Sequence, residues 1–325
     1  MSAAGERCYE IHGVGVAVSS SEPAVLEAMD LRLRDFRHET GLPRVDVRFE
    51  FAIGADGIEP PPGSGRPVYD TPHGSLYYFP EADALCGEFA GVSLCCEPGR
   101  GVALLQSERF SGRELYLATH PLTTVSLMEL LERRGLFSLH AACVATKDGA
   151  GVLLAGPSGA GKSTLALALA RAGMSFLSDD VVFLARAREG GGALRVLGFA
   201  DTIGVTDRTA ERFDELLALL VEPPTPGFPK RLRRIEELFG APAVRSCAPV
   251  ALVFPEVRGD RPSRILELDP KEAMLRLVPD VLLTQAASTR AHLEAIAALL
   301  AQVRCYEIHS GVDLEQAANL VRELV

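Results

Sequence analysis

The chain has 325 residues and a formal net charge of -10, from 33 basic and 43 acidic side chains. An acidic surface repels polyanions, which argues against general nucleic-acid or membrane binding and leaves room only for a local basic site. No apolar run approaches the about 20 residues needed to span a bilayer, and "MSAAGERCYEIHGVG" lacks a basic region followed by an apolar stretch, so a cytoplasmic location is expected.

At this length two domains, or one large α/β domain with an extension, are expected. The seven cysteines, Cys8, Cys86, Cys95, Cys96, Cys143, Cys247 and Cys305, are scattered without a C-x-x-C pair and are expected to be reduced thiols, many of them buried.

Residues 1–120 carry short β-prone runs, "GVGVAVS", "VDVRFEFAI", "SLYYF", "GVSLCC" and "GVALLQ", broken by turns such as "EPPPGSGRP" and by one helical segment, "EPAVLEAMDLRLRDF". This predicts a smaller, mostly β and mostly antiparallel N-terminal domain with no catalytic cluster. A connecting helix follows over 121–135, "PLTTVSLMELLERRG", where Thr123 and Thr124 offer caps and Leu127, Leu130 and Leu131 an apolar stripe.

From 136 to 325 strand and helix alternate. "FSLHAACVA" and "AGVLLAG" read as a strand pair, "STLALALARAG" as a helix stopped at Gly173, and "SFLSDDVVFLAR" as one strand. "EGGGALRV" reads as a hairpin turn, "TAERFDELLALL" as a helix, and "VEPPTPGFPKRLRR" as a long mobile loop. "PVALVFPEV" and "RILELD" follow as strands, then "TRAHLEAIAALLAQV" and "DLEQAANLVREL" as closing helices. Apolar strands alternating with helices predict a sheet covered by helices.

The hexapeptide "RCYEIH" occurs twice, at Arg7 to His12 and at Arg304 to His309. Two C-x-x-x-H pairs raise the question of zinc. In a strand, however, residues four apart are separated by about 13 Å, too far to share one ion, so two similar strands are expected instead.

Gly156-Pro157-Ser158-Gly159-Ala160-Gly161-Lys162-Ser163 fits G-x-x-x-x-G-K-[ST], with an apolar strand before it and a helix after it. Such a loop converges backbone N–H groups on phosphate, Lys162 adds a mobile point charge, and Ser163 suits Mg²⁺. Thr164 extends the phosphate-binding stretch. ATPases, GTPases, transporter motors and kinases share this loop, but the chain has neither an LSGGQ-like segment nor N-K-x-D. It has instead the pair Asp179-Asp180, one helix downstream. Adjacent strand residues face opposite ways, so two carboxylates there suit two jobs, one at a metal and one taking the proton of an acceptor hydroxyl. Among the basic residues Lys230, Arg231, Arg233 and Arg234, Lys230 is the first choice for a second cation on the transferred phosphoryl group. A solvated basic run opening the "RIEELFG" helix is the alternative.

Residues 139–184 resemble the HPr kinase/phosphorylase family and its HPr-kinase-like relatives, whose P-loop core is shared with phosphoenolpyruvate carboxykinase. The features that match are His140, the loop Gly156 to Ser163, and Asp179-Asp180. The resemblance implies an α/β fold with that P-loop kinase core, ATP and Mg²⁺ as cofactors, and phosphorylation of a serine hydroxyl on a peptide or small protein. It implies Asp179 as catalytic base, Asp180 as Mg²⁺ ligand beside Ser163, and His140 near the transferred phosphate. Pro157 and Thr164 stand where the family carries acidic residues, and its L-E-x-R-G-x-G segment is missing, Asp201 being the nearest acidic candidate. These departures argue against the reverse, phosphorolytic reaction and against HPr as substrate. Relatives of this divergent kind include lasso-peptide-type kinases, which makes a ribosomally made peptide an expected acceptor. A small-molecule kinase acting on free serine or a sugar, and a non-catalytic ATP-binding regulator, stay open, as does assembly into a homo-oligomer.

Overall fold

A computed structural model describes residues 5–39, 41–71, 73–187, 192–199, 202–221, 230–259, 261–281 and 284–325. The chain divides into two compact units, Met1–Leu136 with Leu282–His292, and Phe137–Val281 with Leu293–Val325. Both mix strands and helices, so the fold is mixed α/β with several sheets. Asp201, the middle of the Pro-rich segment and the first residues of "EGGGALRV" lie outside the described residues.

The first unit holds strands β1 (Gly5–Ile11), β2 (Val14–Ser20), β3 (Val47–Ile53), β4 (Arg66–Thr71), β5 (Gly74–Phe79), β6 (Ala84–Phe89), β7 (Val92–Glu97) and β8 (Val102–Ser107). They form one sheet in the order β1-β2-β3-β8-β7-β6-β5-β4, antiparallel except at β2–β3 and β3–β8. Alternation sets the faces: in β3, Val47, Phe49 and Phe51 are buried while Arg48 and Glu50 are exposed. Helices α1 (Pro23–Leu33), α2 (Gly112–Leu117) and α3 (Thr123–Glu132) complete the unit, with Leu127, Leu130 and Leu131 fully buried as the stripe predicts.

Two expectations are corrected here. Cys86 and Cys95 stand directly opposite in the β6–β7 register and are joined as a disulfide, because facing antiparallel positions bring the Cβ atoms within bonding reach. Thr123 and Thr124 cap nothing. The chain is already helical before them, through α2 and a wide turn at Ala118–Leu122 that accommodates Pro121, and their hydroxyls donate to the Ala118 and His120 carbonyls at 2.6 Å.

The second unit runs β9 (Phe137–Leu139), β10 (Ala141–Ala145), β11 (Ala150–Ala155), α4 (Lys162–Arg171), β12 (Ser175–Ser178), β13 (Val182–Arg186), β14 (Leu194–Gly198), β15 (Thr202–Val205) and α5 (Asp207–Ala210). After a 3-10 turn over Asp214–Val221 come β16 (Arg231–Arg234), α6 (Ile235–Phe239), β17 (Ser246–Gly259), β18 (Arg264–Glu267), α7 (Pro270–Leu277), α8 (Ala286–Gln302), β19 (Arg304–Gly311) and α9 (Leu314–Arg322). The first residues of α8 count with the first unit.

The main sheet follows β12-β10-β11-β17-β14-β13-β9, with β19 beside β17 and β18 beside β19. One face packs Val152, Leu154, Val253 and Ile308 under α4 and α9, and the other packs Leu153, Leu252, Phe254 and Cys305 under α7 and the end of α8. Burial on both faces explains why β10, β11 and β17 read as continuous apolar runs. The second "RCYEIH" copy lies within β19 and the first follows β1 as far as Ile11, with His12 in the turn after it, so the expectation of two similar strands holds except at His12.

Several local readings change. "SFLSDDVVFLAR" is two strands, because Asp179 to Val181 form a bend between β12 and β13. "FSLHAACVA" likewise breaks at His140, which separates β9 from β10 and so does not itself end the strand entering the loop. Of "TAERFDELLALL" only Thr209 and Ala210 are α-helical, as the end of the short turn Asp207–Ala210, and 3-10 geometry follows from Asp214. "RLRR" is strand β16, paired with β15, rather than a solvated run opening a helix. Helix α7 was passed over although Asp269 caps it, accepting from the Lys271 N–H at 2.8 Å, and Pro270 sits at its start.

Candidate functional site

Strand directions bring the motif residues to one end of the main sheet. β11 is parallel to β17, and β17 to β19, so their carboxyl ends share an edge. β10 is antiparallel to β11, with Ala141 opposite Ala155, which sets His140 beside the start of the phosphate loop. β12 is antiparallel to β10, so Ser178 and the two aspartates after it arrive at the same edge. Ligands commonly bind outside the carboxyl ends of such strands.

The loop between β11 and α4 turns on glycine. Gly156, Gly159 and Gly161 all take positive φ, 132°, 83° and 101°, a region that L side chains rarely occupy. α4 therefore begins at Lys162, directly after the left-handed Gly161, and its first N–H groups face the loop. Lys162 is almost buried, and its Nζ donates to the Gly156 carbonyl at 2.6 Å and the Pro157 carbonyl at 3.2 Å. The ammonium is thus held inside the loop where phosphate oxygens would compete for it.

The two aspartates differ sharply. Asp179 is 2 % exposed; its Oδ2 accepts from the Gly204 N–H at 3.1 Å, and its Oδ1 is buried without a hydrogen-bond partner. Burial and the neighbouring Asp180 charge push its carboxyl up to about 6, against the Ser163 hydroxyl, Lys230 and the Gly204 N–H, which pull it down. Asp180 has 44 % of its side chain exposed, with Lys230 Nζ 3.4 Å from its Oδ1. Gly204 serves both: a Cβ there would meet Lys230 Cδ at 2.6 Å, so its bare backbone is what lets the lysine lie across it.

A cavity of about 380 Å³ opens between these groups, within the range of small-molecule sites. His140, Ser158, Gly159, Gly161, Lys162, Ser163, Thr164, Asp180 and Lys230 all line it, whereas Asp179 does not. Residues that the sequence reading missed complete the wall: Thr206, Arg208, Thr209 and Arg212 beside the loop, and Val257, Ser310 and Gly311 at the ends of β17 and β19. Thr206 caps α5 by accepting from the Thr209 N–H, and the Thr209 hydroxyl lies 3.3 Å from that of Thr164. Only Thr206, a cap residue before Asp207, carried a local signal.

Among the described residues, Glu256, Glu307 and His309 lie close enough to share a metal ion. Their hydrogen bonds point elsewhere. Arg264 Nε donates to His309 Nδ1 at 2.9 Å, which leaves the ring proton on Nε2, facing Glu307. Arg276 pairs with Glu307 at 2.6 Å. Cys305, the other half of the C-x-x-x-H pattern, is buried on the helix-covered face and takes no part.

No family model matches the chain, and no curated protein matches it. Among solved structures, the Hpr(Ser) kinase/phosphatase from Coxiella burnetii is similar to it at a TM-score of 0.31 and 16% identity, over 57% of this chain and 88% of that one. That likeness is distant, and the chemistry rests on the residues of the site.

Proposed function

We propose that the chain is a Mg²⁺·ATP-dependent kinase, with a P-loop core of the HPr kinase/phosphoenolpyruvate carboxykinase type, that phosphorylates a serine hydroxyl of a peptide or small protein in the cytoplasm. The observation that carries the reading is the convergence on one cavity of the phosphate loop with Lys162, Ser163, His140, Lys230 and the bend holding Asp179-Asp180. A motor or a switch needs the loop and a metal-side carboxylate; a second carboxylate and a cation at the cavity wall are what transfer to an acceptor adds.

The oxygen donors fit a hard cation: the Ser163 hydroxyl and the aspartate pair, with Asp179 buried beside the phosphate loop. When bound there, Mg²⁺ would supply charge neutralisation on the phosphate oxygens. Backbone N–H groups from Gly159 to Ser163 cradle the phosphates, and Lys162 exchanges the loop carbonyls for phosphate oxygens. Lys230 steadies the charge of the transferred group, with His140 alongside. One aspartate takes the acceptor proton.

The test is incubation with ATP labelled at the γ-phosphate and candidate serine peptides, free serine and sugars, followed by mass-spectrometric localisation of the phosphate. Label on a peptide serine supports the reading, and label on a small molecule alone replaces the acceptor class. Nucleotide binding with no labelled acceptor would leave an ATP-binding regulator. Lys162→Ala is expected to weaken both nucleotide binding and transfer, the latter by about 100-fold, and full activity in that variant would undo the site assignment.

A further inference from the structure

Resting on the kinase reading, we propose that a groove on the open face of the first unit's sheet docks the acceptor, through a segment in which apolar side chains are flanked by lysine or arginine. A largely antiparallel sheet commonly packs one face on a core and leaves the other to water. Here Val47, Phe49 and Phe51 of β3 and Leu94 and Cys96 of β7 belong to the packed face, and Cys96 Sγ lies 4.0 Å from the Ser126 carbonyl of α3. The other face is crossed by the stretch between β3 and β4, which runs over it as a strap. A Cβ on Gly57 would come within 3.2 Å of Ser93 Oγ on β7, and one on Gly65 within 2.8 Å of Tyr77 Cβ on β5. Beside the strap a cavity of about 490 Å³ stays open, within the range of ligand sites.

The register builds its floor. Leu104 on β8 stands between Glu50 on β3 and Cys95 on β7, and Val102 stands between Arg48 and Glu97. Ile58 and Pro61 of the strap and Ala84 of β6 enlarge this apolar surface. Apolar surface rimmed by charge is the pattern of an interaction site. What fits it follows from the charges left over. The cavity is lined by three acids, Glu50, Glu59 and Glu97, and two cations, Arg48 and Arg100. Both cations are taken: Arg100 pairs with Glu97 at 2.9 Å, and Arg48 lies 3.7 Å from Glu6. Glu50 and Glu59 are exposed and have no ion pair among the described residues. One belongs to the sheet and the other to the strap, so both offer an unanswered negative charge. The occupant must therefore be cationic and partly apolar, and the aliphatic stems of lysine and arginine suit the same floor. Like charge turns acidic segments away. Docking of this kind selects the acceptor by a segment separate from the reacting serine, which gives a unit without a catalytic cluster its part in choosing the substrate.

The probe is a fluorescein-labelled octapeptide alternating lysine with leucine, titrated with the full chain and followed by fluorescence anisotropy without ATP. Glu50→Lys combined with Glu59→Lys is expected to weaken binding about tenfold or more, since two attractions become repulsions. Glu27→Lys combined with Glu39→Lys makes the same change of charge at exposed acids outside the cavity, and should leave binding within about twofold. Leu104→Gln, which keeps the size of the side chain, is expected to weaken binding about fivefold. No binding by the wild type, equal affinity in the Glu50 and Glu59 double variant, or an equal loss in the control variant overturns the proposal. So does equal binding of an octapeptide alternating glutamate with leucine. A serine added at one end of the probe separates docking from catalysis. Its phosphorylation, with a KM about tenfold higher in the Glu50 and Glu59 double variant, supports both. If other serine peptides are labelled and the bound probe is not, the groove does not serve the acceptor. If nothing is labelled, the kinase reading falls, while the anisotropy series still decides what the groove binds.

Discussion

At the residue scale, Gly204 carries more of the site than its size suggests. Its N–H fixes Asp179, and its missing side chain leaves room for Lys230, so one backbone unit holds an anion on one side and a cation on the other. Gly204→Ala is expected to displace the flexible lysine rather than the backbone. Phosphate transfer should fall about tenfold, with the melting temperature nearly unchanged, because the clash is with a mobile chain. Equal transfer rates in Gly204→Ala and wild type would remove Lys230 from the reaction. The sequence offered no hint of this pairing. "DTIGV" looks like any short strand, and its partner Leu232 is far along the chain. Lys162 and Ser163, by contrast, were legible at once, because a phosphate loop is local: the glycines, the lysine and the helix start lie within a few residues.

At the scale of elements, α3 meets the stretch that leads into α8 through buried charge. Glu129 is fully buried; Thr284 Oγ1 donates to its two oxygens at 3.2 and 2.9 Å, and Arg133 lies 3.8 Å away. Glu132 faces His292 Nδ1 at 3.2 Å, and Arg133 also pairs with Asp83 at 2.9 Å. Burial and the Glu132 charge raise the Glu129 carboxyl to about 7 from its ordinary 4.5, despite Thr284 and Arg133. An acid whose folded value lies above its unfolded value binds more protons folded than unfolded. Its stabilising effect is therefore full below about pH 4.5 and lost as pH rises through about 7. Urea unfolding across that window is expected to show stability falling by about 3 kcal/mol, and Glu129→Gln to flatten the curve. A wild-type profile that rises with pH would show Glu129 to be ionised throughout. The helix itself was readable from Leu127, Leu130 and Leu131, since a helical stripe is a property of spacing. Its buried acids were not, because, among the described residues, Arg133 is the only local partner and the others, Thr284 and His292, and Arg133's own partner Asp83, are distant in sequence. The bend at Asp179 to Val181 escaped for the same kind of reason: apolar residues flank it on both sides, and only the change of partner strand breaks the run.

At the scale of the molecule, the alternation of strands and helices from Phe137 onward was visible in the sequence, while strand order was not. β17 spans 14 residues and takes three neighbours along its length, β14 at Ser246 and Cys247, then β11, then β19, and no local pattern announces that. The return of Leu282–His292 to the first unit was equally hidden. It makes a direct prediction. A fragment of residues 1–136 keeps Glu129 and Glu132 but lacks Thr284 and His292, and leaving a buried polar group unsatisfied costs about 1–3 kcal/mol. The isolated fragment should therefore melt well below the intact protein, or fail to give dispersed amide resonances. A fragment as stable as the whole chain would show that the returning segment contributes nothing.

The distribution of the cavity wall along the chain also sets a timetable. The phosphate loop ends at Ser163, but Val257, Ser310 and Gly311 come from strands made much later. At a synthesis rate of about 5–20 residues per second, the interval between Ser163 and Gly311 is on the order of ten seconds. Through that interval the growing polypeptide carries a loop shaped for phosphate without the walls that close around a nucleotide. On the proposed kinase reading, ATP would then bind only the finished molecule, and cellular nucleotide would reward completed folding by mass action instead of guiding its early steps.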